Sequence, residues 1–185
     1  VCKMNLHISV DASGSMSHAD KWKSAMTLVV AICKAATMVN NLRVIVSFRT
    51  TVSVNPNDSV RQSFMTPTSM LPYVVIAYDS DVDKFTKIIS QFPKLHPAGY
   101  TPEGLTFPAL QMTFPPYSSD EHNHFLLLSD GVPCFEYRNK KTAEHVVYDK
   151  EKGATHTHNH YINKKRAGIE FMAYFIKSSD CNPIS

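Results

Sequence analysis

Two carboxylates and three hydroxyls, spread over three short segments, are the residues of this chain whose types and spacing suit metal chemistry. Asp11-Ala12-Ser13-Gly14-Ser15 sets a carboxylate and two hydroxyls at alternate positions. The apolar run before it, Met4 to Val10 (MNLHISV), reads as a mostly buried strand, and Gly14 lets the chain turn sharply beyond it. Such a segment offers oxygen ligands only, and oxygen-only sites suit hard divalent cations, above all Mg2+. Two further pieces lie far downstream: Thr101 in Gly99-Tyr100-Thr101-Pro102-Glu103-Gly104, and Asp130 in Leu126-Leu127-Leu128-Ser129-Asp130-Gly131. Standing alone, the first segment reads equally well as a helix N-cap, with Asp11, Ser13 or Ser15 bonding free amides.

Taken together and in this order, the three segments resemble the metal-ion-dependent adhesion site of the von Willebrand factor A domain family. The resemblance spans most of the chain, from Met4 to Ile176. It implies a metal site of Asp11, Ser13, Ser15, Thr101 and Asp130, holding Mg2+ with Mn2+ or Ca2+ as substitutes. The two serines would bind through their hydroxyls and Thr101 directly or through water, while Asp11 and Asp130 lie partly behind waters. Mg2+ asks for six oxygens at about 2.1 Å. Two carboxylates balance its charge and leave one coordination position open, which an Asp or Glu of a partner protein would fill. Nothing in this set activates a nucleophile, so the expected function is metal-dependent capture of a protein and not catalysis.

Within the family, Leu127 to Pro133, the polar insertion after it, and the strand Tyr73 to Tyr78 are similar to the cobaltochelatase accessory-subunit branch. That likeness implies an AAA+ ATPase as partner and a cytoplasmic setting. The alternative is an extracellular adhesion or receptor module. A rival site is Thr155-His156-Thr157-His158-Asn159-His160. In an extended strand its three imidazoles share one face and suit Zn2+, as in a zinc hydrolase. In a helix, His156 and His160 share a face and His158 points elsewhere. The plainer reading is an exposed polar loop leading into a helix at Tyr161.

Composition narrows the field. A chain of 185 residues at 43% hydrophobic suits one buried core, so residues 1–185 read as a single domain. The net charge is +3, and the basic runs Lys140-Lys141 and Lys164-Lys165-Arg166 read as solvated surface, with no nucleic-acid platform of interleaved aromatic and basic residues. No stretch of about 20 apolar residues marks a membrane span. The start at Val1 without a signal peptide reads as a piece of a longer protein. A phosphate-binding Gly-x-x-x-x-Gly-Lys-Ser/Thr loop and a Gly-x-Ser-x-Gly elbow are both absent. Of four cysteines, Cys33 falls on an apolar helix face. Cys2 and Cys181 belong at opposite ends of a parallel sheet, about 20 Å apart, too far for a disulfide. This usage suits a reducing interior.

The positioning elements follow from periodicity. Ala19 to Val39 carries a wide apolar stripe at helical spacing. Leu42 to Phe48 is a second buried strand, Thr51 to Val54 a short edge strand, and Pro72 to Tyr78 another strand. Asp81 to Phe92 reads as a helix capped by Ser80 or Asp81, and Pro102 as a first helical residue behind a Thr101 N-cap. Phe125 to Leu128 and Gly168 to Ile176 read as strands, with a short helix or hairpin near Thr142 to Tyr148. The alternation predicts a three-layer α/β/α sandwich around a mainly parallel sheet, and the resemblance implies one antiparallel edge strand, Pro72 to Tyr78. The resemblance implies a further helix and strand, for which only nine residues follow Ile176.

Overall fold

The computed structural model describes residues 2–18, 20–53, 70–114, 120–131, 133–138, 145–148 and 150–176. In chain order the elements are β1 (Lys3–Asp11), α1 (Lys21–Ala36), β2 (Leu42–Ser53), β3 (Met70–Asp79), α2 (Thr86–Gln91), α3 (Phe107–Gln111), β4 (Glu121–Ser129), β5 (Phe135–Arg138), β6 (His145–Tyr148), α4 (Lys150–Arg166) and β7 (Ile169–Phe175). Short 3-10 turns at Gly14–Ser17 and Glu103–Thr106 precede α1 and α3.

The central sheet runs β3-β2-β1-β4-β7. β1 pairs in parallel with β2 on one side and β4 on the other, β4 pairs in parallel with β7, and β3 is the antiparallel edge strand that the family resemblance implies. With β1 in the middle, successive connections leave it in opposite directions. The crevice where strand order reverses therefore opens at its carboxyl end, the usual ligand position in such sheets. Helices α1 and α2 cover one face, over Ile8, Val10, Val44, Val46, Phe48 and Leu128. On the other face Phe107 and Leu110 of α3 pack with Phe125, Leu127 and Ile169, and α4 lies alongside. Cys33 is buried in the first core, where burial pushes its thiol up to about 12.

Several local expectations need correction. Thr51 to Ser53 continue β2 and do not start a separate strand, while Val54 lies outside the described residues. The helix expected over Asp81 to Phe92 shrinks to α2, and neither Ser80 nor Asp81 caps it. The Ser80 hydroxyl instead accepts from the Val44 amide at 2.9 Å, and the Asp79 and Asp83 carboxylates hold the turn. Thr101 is not an N-cap: its backbone exchanges two 3.1 Å hydrogen bonds with Cys134, and Pro102 is the capping residue. Of the segment Thr142 to Tyr148, residues 142–144 lie outside the described residues, and His145–Tyr148 is β6, paired antiparallel with β5 rather than helical. Among the described residues, Cys2, Cys33 and Cys134 are free thiols, and Cys181 lies outside them.

The largest departure is α4, which begins at Lys150, eleven residues before the predicted Tyr161. Its sequence is polar almost throughout, so no apolar stripe announces it. Gly153 lets it pack closely: a Cβ there would lie 2.5 Å from the Pro133 Cβ and 3.2 Å from the Tyr148 ring. Alanine gains about 1 kcal/mol in helix propensity, but overpacking against a proline ring costs about 1–3 kcal/mol. Gly153→Ala is therefore expected to lower the melting temperature, by a few degrees, in a thermal scan. An unchanged or raised melting temperature would show that α4 shifts away at a cost no larger than the propensity gain.

Candidate metal centre

Asp11 is the last residue of β1 and fully buried. One carboxylate oxygen accepts from the Ser13 amide at 2.8 Å, closing a tight turn, and the other accepts from the Ser129 hydroxyl at 2.8 Å. The turn directs Ser13 and Ser15 back over the strand ends. Their hydroxyls are 3.0 Å apart, and Ser15 donates to Asp130 Oδ1 at 2.8 Å. Since the Ser15 proton goes to Asp130, the Ser13 hydroxyl is the donor to Ser15. Four of the five predicted residues thus form one array linked by hydrogen bonds, joining the ends of β1 and β4.

Thr101 is brought to this array through the backbone. The Ala98 amide donates to the Ala12 carbonyl at 2.8 Å, and the Gly14 amide to the Gly99 carbonyl at 2.9 Å. Gly99 has φ +83°, and a Cβ there would sit 2.8 Å from atoms of both Thr50 and Thr51, so the close approach requires glycine. The Tyr100 amide donates to the Thr51 hydroxyl at 2.9 Å, and Thr101 follows, buried.

Three charged residues beside the array escape the sequence reading. Arg49, opposite Asp11 in the β1–β2 register, is fully buried. Its guanidinium donates to the Ser9 carbonyl at 2.6 Å, to the Leu128 carbonyl at 3.0 Å and to Glu103 at 2.9 Å. It therefore clamps the ends of β1 and β4 to the segment carrying Thr101. Burial holds the Glu103 carboxyl above its ordinary range, against the pull of Arg49 and with a further push from Asp11. Lys21, the first residue of α1, places Nζ 2.7 Å from Asp130 Oδ2. The alternation Ile45, Ser47, Arg49 along an extended β2 is the signal that would have put Arg49 inside.

The donor set is all oxygen, with two carboxylates and converging hydroxyls, and the Lys21 ammonium already rests on one of those carboxylates. That chemistry fits a hard divalent cation. Among the described residues no three His, Cys, Asp or Glu side chains converge, so a cation here depends on the hydroxyls. The same observation bears on the histidines. They lie in α4, neither in a loop nor in a strand, so they do not share one face. His156 and His160 stand together with Nε2 atoms 3.1 Å apart, Tyr148 meets His156 Nδ1 at 2.9 Å, and exposed His158 lies towards Tyr161. No described helix is long and apolar enough to cross a membrane.

No family model and no curated protein matches the chain. Among solved structures it is similar to the pilus adhesin SpaC from Lactobacillus rhamnosus GG in its open conformation, with TM-score 0.58 and 15% identity over 94% of this chain and 24% of SpaC. It is also similar to the manganese-loaded TRAP protein of Plasmodium vivax, with TM-score 0.51 and 13% identity over 100% of this chain and 66% of that one. The chain thus spans about a quarter of the one and under two thirds of the other. At such identities the likeness is one of fold. The five-stranded order, the antiparallel edge strand and the layered helices give this chain a von Willebrand factor A-like fold.

Proposed function

We propose that this chain is a non-catalytic, divalent-cation-dependent protein-binding module of the adhesion kind, acting at a cell surface. The observation that carries it is the array of Asp11, Ser13, Ser15 and Asp130 at the carboxyl end of the two central strands. Thr101 is added as the fifth ligand, held beside the array by its backbone. Mg2+ is the proposed ion and Mn2+ a substitute. Its open coordination position takes an Asp or Glu of a partner protein. The hydroxyls of Ser13 and Ser15 run to each other and to Asp130 and not to a histidine base, so neither is set up as a nucleophile.

The surface setting is supported by the similarity to a pilus adhesin and is preferred to the cytoplasmic reading, while the manganese-loaded TRAP protein supports the choice of a divalent ion. Nothing in the fold or the comparisons supports the ATPase-partner branch. The test is isothermal titration of chelator-stripped protein with MnCl2. Wild type is expected to bind one ion, with Asp11→Ala and Asp130→Ala weakened at least tenfold while keeping a native circular dichroism spectrum. No uptake by wild type, or equal uptake by the Asp130→Ala variant, would remove the proposal.

A further inference from the structure

An ammonium on a nearly buried carboxylate is an uncommon arrangement. The Lys21 side chain is 14% exposed and Asp130 only 1%. This is therefore not one of the solvated surface pairs that contribute little. Its geometry is fixed from both sides: Lys21 opens α1, which packs on the sheet, and Asp130 directly follows β4 with its other oxygen taken by Ser15. The pair sits within the array that the proposed function assigns to a divalent cation, and the inference rests on that reading.

The charges then compete. A divalent cation and an ammonium on the same carboxylate repel each other, strongly at short range and low dielectric. Without either, Asp130 would be a buried carboxylate lacking a counter-charge, which is costly. We infer that Lys21 is a built-in counter-cation of the centre. It holds Asp130, and through it Ser15 and Ser13, in the metal-free protein, and a divalent ion must displace it. Lys21 thereby sets the metal affinity below what the oxygen donors alone would give. It also keeps the donors assembled, so loading needs no folding step.

Three proteins are compared after stripping with chelator: wild type, Lys21→Met, which keeps an apolar stem, and Lys21→Arg, which keeps the charge. Lys21→Gln, which keeps a hydrogen bond to Asp130, replaces the Met variant if that one does not fold. Titration with MnCl2 is expected to show the neutral variant binding five- to tenfold tighter than wild type, with the Arg variant near wild type. In excess EDTA the neutral variant is expected to melt several degrees below wild type, and saturating Mn2+ to raise its melting temperature by more than it raises that of wild type. Equal or weaker Mn2+ binding by the neutral variant, with wild type binding normally, would overturn the counter-cation role and leave the metal centre standing. If wild type takes up no Mn2+ and Asp130→Ala behaves alike, the metal centre itself fails, and the inference with it.

Discussion

Replacing Arg49 with methionine is expected to lower the unfolding free energy by about 3–5 kcal/mol, the usual cost of removing one partner of a buried ion pair. The loss has two sources. Glu103, 3% exposed, is left with a charge already disfavoured by burial and by Asp11. The Ser9 and Leu128 carbonyls lose their donor at the point where β1 and β4 end. Urea unfolding followed by circular dichroism measures the change. The double variant Arg49→Met with Glu103→Gln should recover much of the stability, because no unpaired charge remains. Metal binding should not recover equally, since the clamp on the Thr101 segment is gone. A single-variant loss below about 1 kcal/mol, or no recovery in the double variant, would show that Arg49 is not the fastener described.

Acidification should destabilise the fold through His7. The residue is buried in β1, with Nδ1 2.7 Å from the Thr113 hydroxyl and Nε2 2.7 Å from the Ser47 hydroxyl. Thr113 donates its proton to the Leu110 carbonyl, so it accepts from Nδ1–H, and Nε2 accepts from Ser47. The neutral ring is fully satisfied. Burial, reinforced by the nearby Arg43 guanidinium, lowers its pKa from the ordinary 6.5 to about 3. Between these values the unfolded chain takes up a proton and the folded chain does not. The stabilisation is therefore complete above pH 6.5 and is lost progressively as pH falls towards 3. From pH 7 to pH 5 the loss is about 2 kcal/mol. Urea midpoints at both pH values should show a smaller pH dependence in His7→Asn than in wild type. Parallel slopes would place the acid sensitivity elsewhere.

What the sequence discloses here depends on how far each element relies on apolar periodicity. The runs MNLHISV, LRVIVSF and FLLL are short, apolar and bounded by turn residues, which marks them as buried strands, and the strand-end carboxylates follow from the same runs. The helix α1 shows its stripe plainly. By contrast α4 carries few apolar residues and holds its place through Gly153, Tyr148 and Pro133, a fit that only tertiary contact creates. The sequence does not disclose the roles of Lys21 and Arg49, because their partners lie 109 and 54 positions away. The pairing that makes their burial tolerable has no local trace. Glu103 is visible only as a neighbour of Thr101, and its role depends on Arg49.

The alignment of β1 between its two neighbours carries a consequence for how this chain can change. Asp11 faces Arg49 across one ladder, and Val10 faces Leu128 across the other, one step before Asp11 meets Ser129 through its side chain. Side chains alternate between sheet faces, so a shift of one residue would exchange the faces of the whole strand. It would turn Asp11 away from Ser13, Ser129 and the Thr101 segment together. Exchanges of one apolar residue for another within β1 are thus far better tolerated than the gain or loss of a single residue. Its length is a stricter constraint than its composition, and any redesign of the domain has to leave that length alone.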